Sequence, residues 1–110
     1  MAVLTIQEIT RAGVGPTFAA AAGGGDSFPN DGRTMCEVKN AGGGAITLTV
    51  VTQITVDGKA VADDAISVPA TTGDRMVGPF PPEIYNDVNG RVNLTYSGVT
   101  SVTVGAFRLP

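Results

Sequence analysis

The chain of 110 residues contains no histidine and no tryptophan, and it has a single cysteine, Cys36. Without histidine, neither a Ser-His-Asp triad nor a Cys-His pair can be assembled, and the commonest metal ligand is missing. One cysteine cannot form an intramolecular disulfide. The alternating pattern around Cys36 places it on the inward side of a strand, which predicts a core residue and not a nucleophile. We therefore predict that the protein is not an enzyme and has no cofactor and no metal.

Charge of either sign is sparse and is spread along the chain. Seven basic and ten acidic residues give a formal net charge of −3, and the basic residues form no run. Nucleic-acid binding needs clustered Lys or Arg, so no DNA or RNA partner is expected. No apolar run approaches the ~20 residues of a membrane span, and the start, MAVLTIQEIT, lacks the features of a secretory signal. These patterns predict a soluble protein with no membrane partner.

The clearest pattern that is present lies between Arg33 and Asp57. Apolar and polar residues alternate from Thr34 to Lys39 and again from Ile46 to Val56, which is the period of a strand with one buried face. The segment Asn40–Gly44 between them is rich in glycine and ends regular structure. We predict two antiparallel strands joined by a flexible turn. The second run is long for one strand and is expected to bend or to pass from one sheet to another.

Further alternating segments predict strands at residues 65–69, 75–78, 91–97 and 100–109. The pairs Asp57-Gly58 and Asn89-Gly90 predict tight turns, and Asp26–Gly32 has the composition of a turn. Gly105 is a predicted bulge in the last strand. About seven to eight short strands separated by turns predict an all-β fold, either an antiparallel β-sandwich or a jelly-roll-like barrel.

The first 25 residues are predicted to form an N-terminal arm in front of a sandwich domain that spans residues 26–110. The alternation in residues 3–11 is poor, and Pro16 and several glycines disfavour a helix in residues 12–25. We predict that apolar residues of this arm contact a partner or another subunit instead of the domain's own core: Val3, Leu4, Ile6, Ile9, Val14 and Phe18. The alternative is that residues 3–11 pair as an edge strand of their own sheet.

Three short motifs are better explained by a structural role than by a catalytic or ligand-binding role. Gly42-Gly43-Gly44 lacks the Lys and Ser/Thr of a phosphate-binding loop. Asp87–Gly90 is similar to part of a calcium loop but lacks the later bidentate glutamate. Asp63 and Asp64 are adjacent, so in a strand they would point to opposite faces. All three motifs are predicted to be turns or solvated positions.

The segments GDSFPNDGRTMCEVKN, AITLTVVT, VDGKAVAD, ISVPATTGDRMVGPFPPEIYND and GRVNLTYSGVTSVTV together resemble a group of small head decoration, or capsid-cementing, proteins of tailed bacteriophages and prophages. The resemblance spans Gly25 to Leu109. It implies a β-sandwich that is made in the host bacterial cytoplasm and assembles, usually as a homotrimer, on the outer surface of the virion capsid. There it would bind the major capsid protein and stabilise the head. The alternative is a carbohydrate- or receptor-binding β-sandwich module of a phage tail or fibre, with Tyr85 as the binding aromatic.

Overall fold

Two β-sheets pack against each other in the computed structural model, which describes residues 2–109. The first sheet has the strand order β1-β4-β11-β6-β9, and the second has the order β10-β5-β12-β2, with β3 also paired to β12. Strands β7 and β8 form a separate hairpin. The elements are β1 (Ala2–Val3), β2 (Ile6–Glu8), β3 (Ala19–Ala20), β4 (Asp26–Pro29), β5 (Thr34–Asn40), β6 (Ile46–Val50), β7 (Thr55–Val56), β8 (Lys59–Ala60), β9 (Asp64–Val68), β10 (Gly73–Val77), α1 (Pro82–Tyr85), β11 (Arg91–Tyr96) and β12 (Val102–Arg108).

The all-β sandwich predicted from the alternation is confirmed, and the described strands do not close into a barrel. Two strand pairs are parallel, β1 with β4 and β2 with β12, so the sheets are mixed and not purely antiparallel. The core between the sheets consists mainly of aliphatic side chains at the inward positions that alternation predicted. The residues with essentially no exposure are Phe28, Cys36, Val38, Leu48, Val50, Val68, Val92, Leu94, Val102, Val104 and Ala106.

The predicted hairpin between residues 34–39 and 46–56 is wrong. β5 pairs with β10 and β12 in the second sheet, whereas β6 pairs with β11 and β9 in the first sheet. The glycine-rich segment therefore carries the chain from one sheet to the other. Asn40 is buried at this crossover, where its amide donates to the carbonyl of Gly44 (2.9 Å) and its Oδ1 accepts the N–H of Gly42 (2.9 Å). The predicted long second strand ends at Val50, and the chain continues into the β7–β8 hairpin, whose Asp57-Gly58 turn was predicted.

Two further local predictions are corrected. Asp26–Pro29 is not part of a turn, because it forms strand β4 between β1 and β11 in the first sheet. The turn is confined to Asn30–Gly32, where Gly32 has a φ of +93°. Gly105 is not a bulge, because β12 pairs with β5 in an unbroken register over its whole length.

The N-terminal segment belongs to both sheets. β1 pairs with β4 in the first sheet, and β2 pairs with β12 in the second, so the chain changes sheets between Val3 and Ile6. Leu4 lies at this change and is buried in the core, and Ile6 packs against the same cluster. β3 then returns along β12. The prediction that Leu4 contacts a partner instead of the core is therefore wrong. The N-terminal segment pairs within the protein's own sheets, as the alternative proposed.

The two strands at the opposite side of the sandwich carry charge at inward-facing positions. Asp64 at the start of β9 lies opposite Val50, and Arg75 in β10 lies opposite Val38. Both charged residues are exposed at the rim. Inward-pointing charges on edge strands oppose pairing with a strand of another molecule. These edges are therefore poor sites for association.

Replacement of Leu4 by alanine tests whether the N-terminal segment is part of the core. Leu4→Ala is expected to lower the free energy of unfolding by ~2–4 kcal/mol, because it leaves a cavity between the sheets. The control is Val3→Ala, at a position that is 51% exposed, where a change within about 0.5 kcal/mol is expected. Chemical denaturation measures both, and equal losses would contradict the placement of Leu4.

Candidate functional site

The acidic and thiol side chains of residues 2–109 form no group that could hold a metal ion. Cys36 is buried, and burial raises the pKa of its thiol to about 12. The thiol is therefore protonated at neutral pH and is a poor nucleophile. Asp63 and Asp64 bind different partners, since Asp63 accepts the N–H of Thr52 at 3.0 Å and Asp64 accepts the hydroxyl of Tyr85.

Asp87 organises the turn that leads into β11. Its carboxylate accepts the backbone N–H of Asn89 (2.8 Å) and of Arg91 (3.1 Å) and the side-chain amide of Asn93 (3.1 Å). The hydrogen bond from Asn93 is the main cause of the lowered pKa of Asp87. The carboxylate is thus engaged by donors of its own chain, which is the geometry of a surface turn.

A buried carboxylate joins the N-terminal segment to β11. Asp26 is 1% exposed and accepts the hydroxyl of Tyr96 at 2.7 Å and the N–H of Ala22 at 3.2 Å. Burial, followed by the hydrogen bond to Asp26, raises the pKa of the Tyr96 hydroxyl. A buried carboxylate is costly unless donors surround it. The pair therefore fixes the turn before β4 against the first sheet.

The outer face of the second sheet carries a group of apolar side chains around Glu37, here called the methionine face. Strand pairing places Met76 opposite Glu37 on β5, and Met35 opposite Phe107 on β12. Met76 is 65% exposed, Leu109 48% and Val14 41%. Two depressions of 370 and 250 Å³ meet at Met76. The residues that define the methionine face are Ile9, Val14, Met35, Met76, Phe107 and Leu109.

The segment between β2 and β3 builds one wall of the methionine face. The Gln7 side chain holds this segment, because its Nε2 donates to the carbonyl of Thr17 and its Oε1 accepts the N–H of Thr17, both at 2.8 Å. A Cβ on Gly105 would lie only 2.9 Å from the same Thr17 carbonyl oxygen. Glycine thus permits the close approach of this segment to β12. Phe18 completes the wall by packing edge-on against Phe107, with ring centroids 6.0 Å apart.

Charged residues of β5 and β10 lie among the apolar side chains of the methionine face, and Glu37 lines the same depression as Met76. The ammonium group of Lys39 lies 4.2 Å from the centroid of the Phe18 ring. Desolvation, followed by a hydrogen bond with Asp74, raises the pKa of Glu37. Exposed methionine and aromatic side chains are enriched in protein–protein interfaces, so the composition of this face is compatible with one.

The six residues that the sequence predicted as partner contacts have different positions. Ile9 and Val14 line the methionine face, whereas Leu4 lies in the core and Ile6 packs against it. Phe18 is half-buried, and exposed Val3 lies beside a separate depression.

The predicted contacts did not include four residues of the methionine face: Met35, Met76, Phe107 and Leu109. The signal for Met35 was present, because it is an apolar residue at an outward position of an alternating strand. Met76 and Leu109 offered no comparable signal, because their neighbours on the surface come from other strands.

Comparisons with protein-family models, with curated proteins and with solved structures found no match. Nothing helical in residues 2–109 has the length and apolarity to cross a membrane. The functional argument therefore depends on the geometry of the surface.

Replacement of Gly105 tests the packing of the methionine-face wall. Gly105→Ala is expected to lower the free energy of unfolding by ~1–3 kcal/mol, because the new Cβ would meet the Thr17 carbonyl at 2.9 Å and the Phe107 ring at 3.1 Å. Gly43→Ala is the control, since a Cβ there meets nothing within 4 Å. The placement of Thr17 would be refuted if thermal or chemical unfolding detected no difference between the two variants.

Removal of the Tyr96 hydroxyl tests the buried carboxylate. Tyr96→Phe is expected to lower the free energy of unfolding at neutral pH by ~1–3 kcal/mol, because the buried Asp26 carboxylate loses a donor. The control Tyr85→Phe removes a hydroxyl that binds exposed Asp64, and a smaller loss of about 0.5 kcal/mol is expected. Urea denaturation of both variants makes the comparison.

The same variant has a distinct effect at alkaline pH. An unfolded tyrosine loses its proton near its ordinary pKa of about 10, whereas folded Tyr96 keeps its proton to higher pH. The unfolded state then binds fewer protons, so the free energy of unfolding falls as the pH rises above about 10. Tyr96→Phe should make this decline shallower. The decline that remains in the variant includes the contribution of the Cys36 thiol, whose pKa is also raised. Identical alkaline slopes in wild type and variant would contradict the assignment.

Proposed function

We propose that this protein is a structural component of a phage virion, which binds the outer surface of the capsid through the methionine face and stabilises the head. The observation that carries the proposal is the exposure of Met76, Leu109 and Val14 together on one sheet face. The resemblance of the sequence to head decoration proteins supplies the partner, the major capsid protein. The all-β sandwich is compatible with that resemblance.

The methionine face has the physical properties that adhesion requires. Methionine is flexible and polarisable, so it adapts to the shape of a partner surface. Full burial of one such side chain contributes ~1.5–3 kcal/mol. Met35, Met76 and Phe107 of the face lie on paired strands, so little backbone ordering opposes binding at these positions. On a capsid, many identical copies are bound side by side, which increases the total stabilisation without any single strong contact.

The resemblance also implies self-association, usually as a homotrimer, and a location on the outside of the capsid. Both belong to the proposal. Contacts between subunits would add to the effective concentration of each methionine face at the shell. The exposed N-terminal residue Val3 and the half-buried Phe18 remain candidates for such contacts.

The alternative, a carbohydrate- or receptor-binding module, is favoured by no specific observation. The Tyr85 hydroxyl binds Asp64, and its ring packs against Phe80 with centroids 5.4 Å apart. Each aromatic side chain in residues 2–109 is buried or half-buried. An exposed ring on which a sugar could stack is therefore not available in the described part of the chain.

Binding to capsids that lack this protein tests the proposal. Wild-type protein is expected to bind such capsids and to raise their rupture temperature. Met76→Lys should weaken binding by ~10-fold or more, because it places a charge in the apolar contact. Val88→Lys is the matched control, since Val88 is 101% exposed on the turn before β11, which belongs to the other sheet, and it should bind like wild type.

Two results would contradict the proposal. One is a rupture temperature that stays unchanged when the capsids are saturated with protein. The other is equal binding by Met76→Lys and Val88→Lys, which would exclude the methionine face as the contact. Thermal unfolding of both variants verifies that neither change disturbs the fold.

A further inference from the structure

The turn between α1 and β11 contains the pair Asn89-Gly90, and no other asparagine of the chain is followed by glycine. The backbone nitrogen of the residue that follows an asparagine can attack the side-chain amide carbon of that asparagine. Glycine favours this attack, because it has no Cβ to obstruct the approach and its backbone rotates most freely. The other asparagines precede alanine, leucine or aspartate: Asn30, Asn40, Asn86 and Asn93.

The tertiary structure also sets Asn89 apart from these four residues. Each of the four side-chain amides donates a hydrogen bond of between 2.8 and 3.1 Å. Asn30 and Asn40 are in addition buried. The side chain of Asn89 is exposed and makes no hydrogen bond with any residue between 2 and 109. Its amide carbon is therefore open to attack, whereas the other four amides are held in place.

The space around Gly90 allows the attack. A Cβ built on Gly90 would meet no heavy atom within 4 Å. The neighbouring Val88 is also fully exposed, so no other part of the described chain covers this turn. The five-membered ring that joins the Gly90 nitrogen to the Asn89 side chain therefore has room to form.

The hydrogen bonds of Asp87 restrain the same reaction. The N–H of Gly90 donates to the backbone carbonyl of Asp87 at 3.0 Å. The Asp87 carboxylate accepts the N–H of Asn89 at 2.8 Å and that of Arg91 at 3.1 Å. The Gly90 nitrogen must lose its proton before it attacks, so the turn must first open. Exposed loop tips open at a low cost in free energy, because few contacts are lost.

We propose that Asn89 is a site of spontaneous deamidation and that the Asp87 turn slows the reaction. Hydroxide removes the proton of the Gly90 N–H, and the nitrogen forms a bond to Cγ of Asn89. The bond between Cγ and Nδ2 then breaks, and the nitrogen leaves as ammonia with a proton from water, which regenerates hydroxide. Water opens the resulting succinimide. Hydrolysis at Cγ gives aspartate, and hydrolysis at the original peptide carbonyl gives isoaspartate.

Both products change the turn. Each adds one negative charge to the −3 of the unmodified chain, next to the Asp87 carboxylate. Isoaspartate also inserts a methylene group into the backbone between Asn89 and Gly90. The carbonyl of Gly90 accepts the N–H of Asn30 at 3.0 Å, and this contact would be displaced. Isoaspartate is therefore expected to loosen the entry into β11.

This inference does not depend on the proposed function. The Asp87 turn leads into β11 of the first sheet, whereas Met35, Met76 and Phe107 of the methionine face lie on strands of the second sheet. Deamidation is measured on the free protein without capsids, so the two proposals can fail separately.

Incubation of the full-length protein at physiological temperature and mildly alkaline pH is the test. Ion-exchange chromatography and peptide mass mapping should detect an acidic form that is modified at Asn89, at a rate ~10-fold or more above that of any other asparagine. Asn89→Gln is the matched control, because glutamine would have to form a less favourable six-membered ring, and it should keep its charge. Asn89→Asp marks the elution position of the aspartate product.

A second pair of variants tests the restraint by the turn. Asp87→Ala removes the acceptor of two backbone N–H groups, so it should accelerate the modification of Asn89 by ~5-fold or more. Asp87→Ser keeps a shorter acceptor and should give a smaller acceleration. Thermal unfolding verifies that each variant is folded at the temperature of incubation, and the two variants guard against the failure of either one.

Three results would overturn the inference. One is the absence of an acidic form after a time that suffices to modify an unstructured peptide of residues 86–92. Another is a modification that appears first at a different asparagine. The third is an equal or slower rate in the folded Asp87 variants than in wild type, which would show that the turn does not restrain Asn89.

Discussion

The pairing of the N-terminal segment with both sheets is the constraint on which the rest of the structure depends. β1 closes the first sheet and β2 closes the second, and Leu4 fills the core between them. The segment then crosses the outside of β12, where Gln7 holds Thr17 against Gly105. One side of the sandwich is sealed in this way, and a wall of the methionine face is built from the same residues.

Buried polar side chains define the positions where the chain changes direction. Asn40 binds backbone groups at the crossover between β5 and β6. Asn30 donates to the carbonyl of Phe80 and to the side chain of Asn86, both at 2.8 Å, and so joins the turn after β4 to α1. Asp26 performs the same task for the turn before β4. Fully satisfied polar groups of this kind make one arrangement of the chain more stable than its alternatives.

The surface of the sandwich is divided by chemistry. Charged residues at inward positions of the edge strands β9 and β10 oppose strand-to-strand aggregation. The outer face of the second sheet exposes methionine and aliphatic side chains beside Glu37 and Lys39, whereas the outer face of the first sheet exposes hydroxyl groups and Arg91. The exposed apolar side chains of the methionine face make it suited to binding by contact area.

Local sequence determined the inward residues of the alternating strands, because the two-residue period of a strand is visible within a few residues, but it did not identify strand β4 at Asp26–Pro29. Cys36, Leu48 and Leu94 were placed correctly for this reason. The partners of each strand depend on contacts between residues that are far apart in the chain. The glycines after Asn40 predict a turn, but they do not determine which sheet the next strand joins. The bulge at Gly105 was predicted from the shift of the apolar pattern to Phe107 and Leu109, whereas the Thr17 carbonyl that requires a glycine at this position lies far away in the chain. The methionine face was decided only by the tertiary structure, since it combines residues that become neighbours only when separate segments of the chain are packed together.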